Sequence, residues 1–288
     1  MSDFSILADH PNAFLLLIAF LSLLVGSFLN VVIFRLPRMI QQEWGQECRH
    51  YLGLKPVADT ERLNLWLPRS HCPACKKVIK PWHNIPLVSY LILRGQCVRC
   101  KTTIPLRYPL VELLCCFASV YVAWRFGVTS QTTGGLFFTW ILIALTFIDV
   151  EHQLLPDQLT LLLLWVGLLL SLFSVFIPSS DAIIGAVLGY LIFATIQTLF
   201  QFTTGKRGMG QGDYKLLAAL GAFLGWRELP LIILAASTIG IVMAVLHMIM
   251  KRRLASVPLP FGPYLAFAGW IALLWGHDIM RLYFQYFF

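Results

Sequence analysis

Eight long apolar segments divide the chain and limit what it can fold into. An α-helix needs roughly 20 apolar residues to cross a bilayer. Only 12% of the 288 residues are charged, about half the share typical of soluble domains. We therefore predict an all-α polytopic membrane protein with about eight transmembrane helices. The segments lie at about residues 13–34, 108–125, 134–150, 158–177, 182–202, 213–226, 229–250 and 261–277.

The basic residues predict how these helices are oriented. If the N-terminus lies outside and the helices alternate in direction, every Lys and Arg except Arg125, Arg227 and Arg281 falls in or beside an inner loop. Cytoplasmic loops carry such an excess. Both termini are then on the outer side, and the net charge of +8 belongs to these loops, not to a nucleic-acid-binding surface. Because residues 1–10 contain no Lys or Arg, we expect the first segment to be retained and not cleaved as a signal peptide.

The same pattern predicts three parts. Residues 1–34 form the first transmembrane helix, residues 35–107 a basic cytoplasmic loop, and residues 108–288 a seven-helix transmembrane core. The sixth segment, 213–226, is short and rich in alanine and glycine, so its limits are the least certain of the eight.

Four cysteines in the large loop have the spacing of a metal site. Cys72 and Cys75 form one C-x2-C pair, and Cys97 and Cys100 form a second. Two such pairs at this separation are typical of a structural Zn²⁺ site with four thiolate ligands. Two disulfides are the alternative, which fits a reducing cytoplasmic loop poorly. Cys48 has no partner in this pattern.

Two aspartates at the ends of apolar segments are the candidate catalytic residues. Asp149 ends the third segment and Asp213 begins the sixth, so both come out on the cytoplasmic side. Acidic groups at the membrane are costly, and their default interpretation is functional. Two aspartates that share a proton can hydrolyse a peptide bond. The helix dipoles favour Asp213 as the carboxylate and Asp149 as the protonated acid.

Each acidic residue also has a purely structural alternative. Asp213 could be the N-cap of the sixth helix, with the glycines before it a flexible lead-in. A salt bridge could explain Asp149, although no basic residue is close in sequence. Asp157 follows Pro156 at a helix start, where an N-cap is expected. For Glu112, inside the second segment, a basic residue is one candidate partner.

Short motifs occur in a fixed order along nearly the whole chain. They are GSFLNVV at 26–32, RLP at 35–37, SHCPAC at 70–75, NIP at 84–86, RGQC at 94–97, YPLVE at 108–112, D-x5-LPD at 149–157, GMGQGDYK at 208–215 and PFGP at 260–263. In this order they resemble the motifs of the type IV prepilin peptidases, which are bacterial inner-membrane enzymes of the Gly-x-Gly-Asp aspartic class.

The resemblance implies two activities. The first is cleavage of the basic leader of type IV prepilins and type II secretion pseudopilins, after a glycine at the cytoplasmic face, with Asp149 and Asp213 as the catalytic pair. The second is S-adenosylmethionine-dependent methylation of the new N-terminal residue, which in the family is associated with the cysteine loop. Relatives without the cysteines act only as peptidases, so a peptidase with a purely structural loop is one alternative. Prepilins, pseudopilins and membrane lipid are the implied partners.

Two further classes of protein would also keep some of these features. An ion-coupled transporter retains carboxylates in the membrane, but near the midplane and often within repeated halves. No repeat is visible in this sequence. A membrane scaffold built on a zinc ribbon would explain the cysteines and leave Asp149 without a role.

Overall fold

The described part of the chain is mostly α-helical. The computed structural model describes residues 9–55, 63–80, 82, 85–206, 208–251 and 260–287, in which the only β-structure is two isolated bridges. The chain divides into two compact units, Met1–Val128 and Thr129–Phe288. The α-helices are α1 (Pro11–Tyr51), α2 (Val88–Ile92), α3 (Arg107–Phe126), α4 (Ser130–His152), α5 (Asp157–Leu172), α6 (Ser179–Thr204), α7 (Gln211–Leu224), α8 (Leu229–Lys251) and α9 (Gly262–Phe287).

These helices confirm the predicted fold class. Each of the eight apolar segments corresponds to one helix, although α5 stops at Leu172 and α7 has only 14 residues, and α2 is a short additional turn in the large loop. Among the described residues, five helices are long and apolar enough to cross a membrane: α1, α3, α4, α6, and α8 with the 3₁₀ turn before it. The chain is therefore an all-α polytopic membrane protein.

The first helix is longer than the apolar pattern predicted. Its apolar part stops at Phe34, yet α1 continues through Pro37 to Tyr51. The first added turns still contribute Leu36 and Ile40 to the core, whereas the turns after Ile40 are polar and largely exposed, with good helix formers such as Gln42 and Glu43. Hydrophobicity alone cannot detect these last turns, because they bury no apolar side chain.

In the unit Thr129–Phe288, α7 is the central helix. It packs against α5, α6 and α9, and it is buried from Asp213 to Leu224 except at Lys215. A helix that is apolar on all sides is normally buried in this way. Its shortness follows from this position, because neighbouring helices cover it along its length.

The contact between α6 and α7 is a contact between backbones. A Cβ atom at Gly189 of α6 would lie 2.6 Å from the carbonyl oxygen of Leu217 on α7. One α6 turn earlier, Gly185 meets Gly221 in the same way. Small residues at helix crossings in membranes let the backbones approach this closely. The position of α7, and hence of Asp213, depends on them.

We predict that Gly189→Ala destabilises this unit. The added methyl group has to push α6 away from the backbone of α7, and overpacking of this kind costs about 1–3 kcal/mol. The apparent Tm in detergent should fall by at least about 2–4 °C. The matched control is Gly45→Ala on α1, since no atom lies within 4 Å of a Cβ placed there. The control should keep or slightly raise the Tm, because alanine forms helices better than glycine. An unchanged Tm in Gly189→Ala would contradict the close packing of α6 on α7.

Candidate active site

Asp149 lies in the last turn of α4, as the sequence predicted. The helix ends because Gln153 adopts a left-handed conformation with φ of 51°, and its N–H donates to the carbonyl of Asp149. The side chain of Asp149 is only 6% exposed. Among the described residues no basic side chain pairs with it, and its Oδ2 accepts the backbone N–H of Gly262 at 3.0 Å.

The partner of Asp149, Gly262, is the first residue of α9. The first N–H groups of a helix have no partner within the helix, and they attract negative charge. A Cβ atom at Gly262 would lie 2.6 Å from Oδ2 of Asp149, so a glycine is needed at this approach. Gly262 lies in the PFGP motif at 260–263, from which the sequence alone predicted no role for it. A glycine between two prolines at the start of a helix was the available signal.

Asp213 is not the N-cap of its helix. The N-cap of α7 is Gly210, and no side chain caps this helix end. Asp213 is in the first turn, it is 8% exposed, and its backbone N–H donates to the carbonyl of Gly210. The capping alternative is therefore wrong, and Asp213 is a buried acid without that structural explanation.

One side chain packs against both aspartate-bearing segments. Leu155, in the turn between α4 and α5, would contact a Cβ atom at either Gly212 or Gly262. Gly212 precedes Asp213, and Gly262 donates to Asp149. The two carboxyl groups are close enough to act on each other electrostatically. The fold thus brings together two buried acids that are far apart in sequence.

Asp157 has a different role from the one predicted. Pro156 is the N-cap of α5, and Asp157 is its first helical residue. Both carboxylate oxygens of Asp157 lie 2.7 Å from Nζ of Lys215, on α7. The N-cap prediction was wrong because it used only the local sequence. This ion pair links the start of α5 to the first turn of α7, two residues beyond Asp213.

The four loop cysteines form one cluster in the unit Met1–Val128. The Sγ atoms of Cys72, Cys75, Cys97 and Cys100 all lie within 4.8 Å of one another, and the cysteines are free. Sulfur atoms bound about 2.3 Å from a tetrahedral Zn²⁺ would be about 3.8 Å apart. The Sγ atoms of Cys72 and Cys100 are 3.7 Å apart. The donor set therefore fits a metal ion with four thiolate ligands.

The two cysteine pairs sit in matching turns. Cys72 accepts the N–H of Lys76 through its carbonyl, and Cys97 accepts that of Lys101 in the same way. Both lysines have a φ of 58°. Hydrogen bonds from the hydroxyl and backbone of Thr102 lower the pKa of Cys100 to about 6, which favours the thiolate that binds metal.

Hydrogen bonds to buried polar groups hold this unit together. Arg35 of α1 donates to the carbonyls of three residues of the loop segment before the cysteines, Asn64, Leu65 and Pro68. Glu112 of α3 accepts the backbone N–H of Leu87 at 2.8 Å. A basic residue was one predicted partner of Glu112. Its partners include instead the backbone amide of Leu87 and the side chain of Ser27, which no charge pattern could reveal.

Two buried acids brought together in a bundle of membrane helices are the arrangement of a membrane aspartic peptidase. Comparison with known families agrees with this class. The Bacterial Peptidase A24 N-terminal domain matches residues 20–126, and the Type IV leader peptidase family matches residues 136–245. The chain belongs to the type IV leader peptidase family.

Curated relatives are similar over nearly the whole chain, and all three described here are named "Prepilin leader peptidase/N-methyltransferase". The relative from Pseudomonas aeruginosa is 53% identical over 97% of both chains. The relative from Stutzerimonas stutzeri is 51% identical over 99% of both chains. The relative from Aeromonas salmonicida is 50% identical over 95% of this chain and 94% of the relative. No solved structure is significantly similar. These matches do not favour a transporter.

We predict that the purified chain binds about one Zn²⁺ and that the loop cysteines hold it. Cys97→Ser removes one of four thiolates and should weaken zinc affinity by more than about tenfold, since even changes around the ligands cost that much. Zinc content and competition with a chelator measure the effect. Cys48→Ser is the control, because Cys48 is exposed and outside the cluster. Equal zinc affinity in Cys97→Ser and Cys48→Ser would exclude the four-thiolate site.

Proposed function

We propose that the protein cleaves the basic leader from type IV prepilins and type II secretion pseudopilins at the cytoplasmic face of the bacterial inner membrane, and then methylates the new N-terminal residue. One observation carries the proposal. Asp149 and Asp213, from the ends of two helices, are both buried, and Leu155 packs against both Gly212, next to Asp213, and Gly262, which donates to Asp149. The names of the relatives supply the substrate class and the second activity.

The carboxyl pair would hydrolyse the peptide bond directly. One carboxylate takes a proton from water as the oxygen attacks the scissile carbonyl, and the other carboxyl donates its proton to the carbonyl oxygen. The C–N bond then breaks and the leaving amine takes up a proton. The helix ends on which they lie favour Asp213 as the base and Asp149 as the acid, whereas the N–H of Gly262 favours the ionised form of Asp149, so we assign neither role to one residue. The proton that they share belongs to the pair.

The N–H of Gly262 would orient the side chain of Asp149. It holds Oδ2 of Asp149 and leaves Oδ1 to exchange the proton. The carboxyl group of Asp149 is then fixed by the start of α9 and does not have to be ordered when substrate arrives. Such positioning of reacting groups before the reaction contributes much of an enzyme's rate.

The chain would be oriented with both termini in the periplasm. The ends of α4 and α7 that carry the two aspartates then lie at the cytoplasmic boundary, together with residues 35–107, which include the polar end of α1. An apolar prepilin helix can reach this boundary through the lipid. We keep residues 1–34, 35–107 and 108–288 as the three functional parts of the chain.

Methyl transfer would use S-adenosylmethionine, which supplies an electrophilic methyl group for the new amine. We propose that the metal held by Cys72, Cys75, Cys97 and Cys100 is Zn²⁺ and that its role is structural. A closed site with four thiolates leaves no open position for a substrate.

We predict that Asp149→Asn and Asp213→Asn each abolish leader cleavage. An amide cannot carry the proton that the pair exchanges, and loss of such transfer costs about 100- to 10,000-fold in rate. Cleavage of a prepilin in membranes is measured by gel shift, and methylation of a pre-cleaved pilin by mass spectrometry. Methylation should remain close to wild type.

A matched variant keeps this experiment specific. Asp181→Asn makes the same chemical change at an acid that accepts the indole N–H of Trp226 and plays no part in the proposed reaction. It should cleave like the wild type. Full cleavage by Asp149→Asn or by Asp213→Asn would remove that residue from the mechanism.

We also predict that Cys97→Ser reduces methylation far more than cleavage. The cysteines lie in Met1–Val128, whereas both aspartates lie in Thr129–Phe288, so loss of the metal leaves the carboxyl pair intact. Both activities are measured in the same membrane samples, with Cys48→Ser as the control. Normal methylation by a zinc-free Cys97→Ser enzyme would separate the metal site from methyl transfer.

A further inference from the structure

One buried glutamine contacts the glycine loop that leads into Asp213. Gln197 lies on α6 and is 8% exposed. Its Oε1 accepts the backbone N–H groups of both Gly208 and Met209, at 3.0 Å and 2.9 Å. These two residues begin the Gly-x-Gly-x-Gly-Asp segment. A single side-chain oxygen thus accepts the N–H groups of two successive residues in a segment, 208–210, that is neither helix nor strand.

Further contacts complete the loop between this glutamine and Asp213. The hydroxyl of Tyr214 lies 3.5 Å from the carbonyl oxygen of Met209. The N–H of Asp213 donates to the carbonyl of Gly210. The backbone of Gly208 also packs against the ring of Phe200, which would be 2.9 Å from a Cβ atom there. The path from α6 to Asp213 therefore consists of short, consecutive contacts.

The nitrogen of the same amide group argues against a role of Gln197 in stability alone. Nε2 of Gln197 is buried, and the described part of the chain offers it no acceptor. A buried donor without a partner costs free energy, so a leucine of similar size would serve packing better. Because Oε1 bonds two N–H groups, the orientation of the amide follows from the hydrogen bonds. What Gln197 provides is an acceptor for the loop.

We infer that Gln197 is a positioning residue of the proposed peptidase: it holds residues 208–210 so that Asp213 is placed correctly against Asp149. The inference rests on the proposed function and adds a residue from a third helix, α6, to the two aspartates. Gln197 acts through the loop and touches neither carboxyl group in the contacts described. A displacement of about 1 Å at reacting groups is enough to cost about 100-fold in rate.

Three variants test this role. Gln197→Leu removes the acceptor at nearly constant volume. Gln197→Glu keeps an oxygen that can accept both N–H groups and removes the unsatisfied donors. Gln201→Leu makes the same change as the first variant one turn further along α6, at an exposed position. Thermal melting in detergent shows whether each variant is folded, independently of any activity.

The first measurement is hydrogen exchange of the loop amides by mass spectrometry, on the full chain in nanodiscs. In Gln197→Leu the amides of Gly208 and Met209 should exchange about tenfold faster than in the wild type, because both hydrogen bonds are lost. Exchange should be unchanged in Gln201→Leu. An unchanged exchange rate in a folded Gln197→Leu protein overturns the inference, since the loop would then not depend on the glutamine.

The second measurement is the kinetics of leader cleavage with a prepilin substrate. Gln197→Leu should lower kcat about 10- to 100-fold with little change in KM, because the loop positions Asp213 and does not bind the substrate. Gln197→Glu should restore most of kcat, which a purely structural defect would not allow. Faster exchange with an unchanged kcat overturns the inference.

The two measurements separate this inference from the proposed function. If the wild-type protein does not cleave prepilins but its loop amides still respond to Gln197→Leu, the peptidase proposal fails and the contact between α6 and the loop is supported. If the wild type cleaves and Asp213→Asn does not, while Gln197→Leu remains fully active, the catalytic role of Asp213 is supported and the positioning role of Gln197 is rejected.

Discussion

The burial of α7 is the constraint on which the site depends. This short helix is covered by three others, and α6 approaches it closely enough that Gly185 and Gly189 touch its backbone. A helix enclosed in this way has little freedom to shift or rotate, because dense packing resists small displacements. Asp213, in its first turn, therefore has a fixed position before any substrate binds. The Asp157–Lys215 ion pair and the Gln197 contact hold the same end of the helix from two further sides.

The second acid is held by different means, although it is equally buried. Asp149 lies in the last turn of its own helix and accepts the first N–H of α9. Removing two carboxyl groups from water is costly, and the cost is least when the pair carries one negative charge and that charge meets a hydrogen-bond donor. The same arrangement suits acid–base chemistry, which requires one protonated and one ionised group. The structural solution to burial and the requirement for catalysis thus coincide.

The sequence was sufficient for features that depend on composition or on local spacing. The apolar segments predicted the helices, and an acid at the end of an apolar helix identified Asp149 as unusual. The C-x2-C pairs identified the cysteine cluster, which the structure brings together. Features that depend on distant partners were missed or wrong. Asp157 was taken for a cap because Lys215 is far away in sequence, and the contacts of Gln197 and Gly262 are created only by the fold.

The glycines that face α7 also have a consequence in genetic terms. A Cβ atom at Gly167 of α5 would lie 3.1 Å from the backbone of α7, and one at Gly269 of α9 would lie 2.6 Å from the buried side chain of Leu220 on α7. Every missense change at a glycine codon introduces such an atom. A random screen for loss of function would therefore recover alleles on three helices that leave both aspartates intact. Their common defect would be displaced packing of α7 against its neighbours. Compensating changes should map to the small residues along α7.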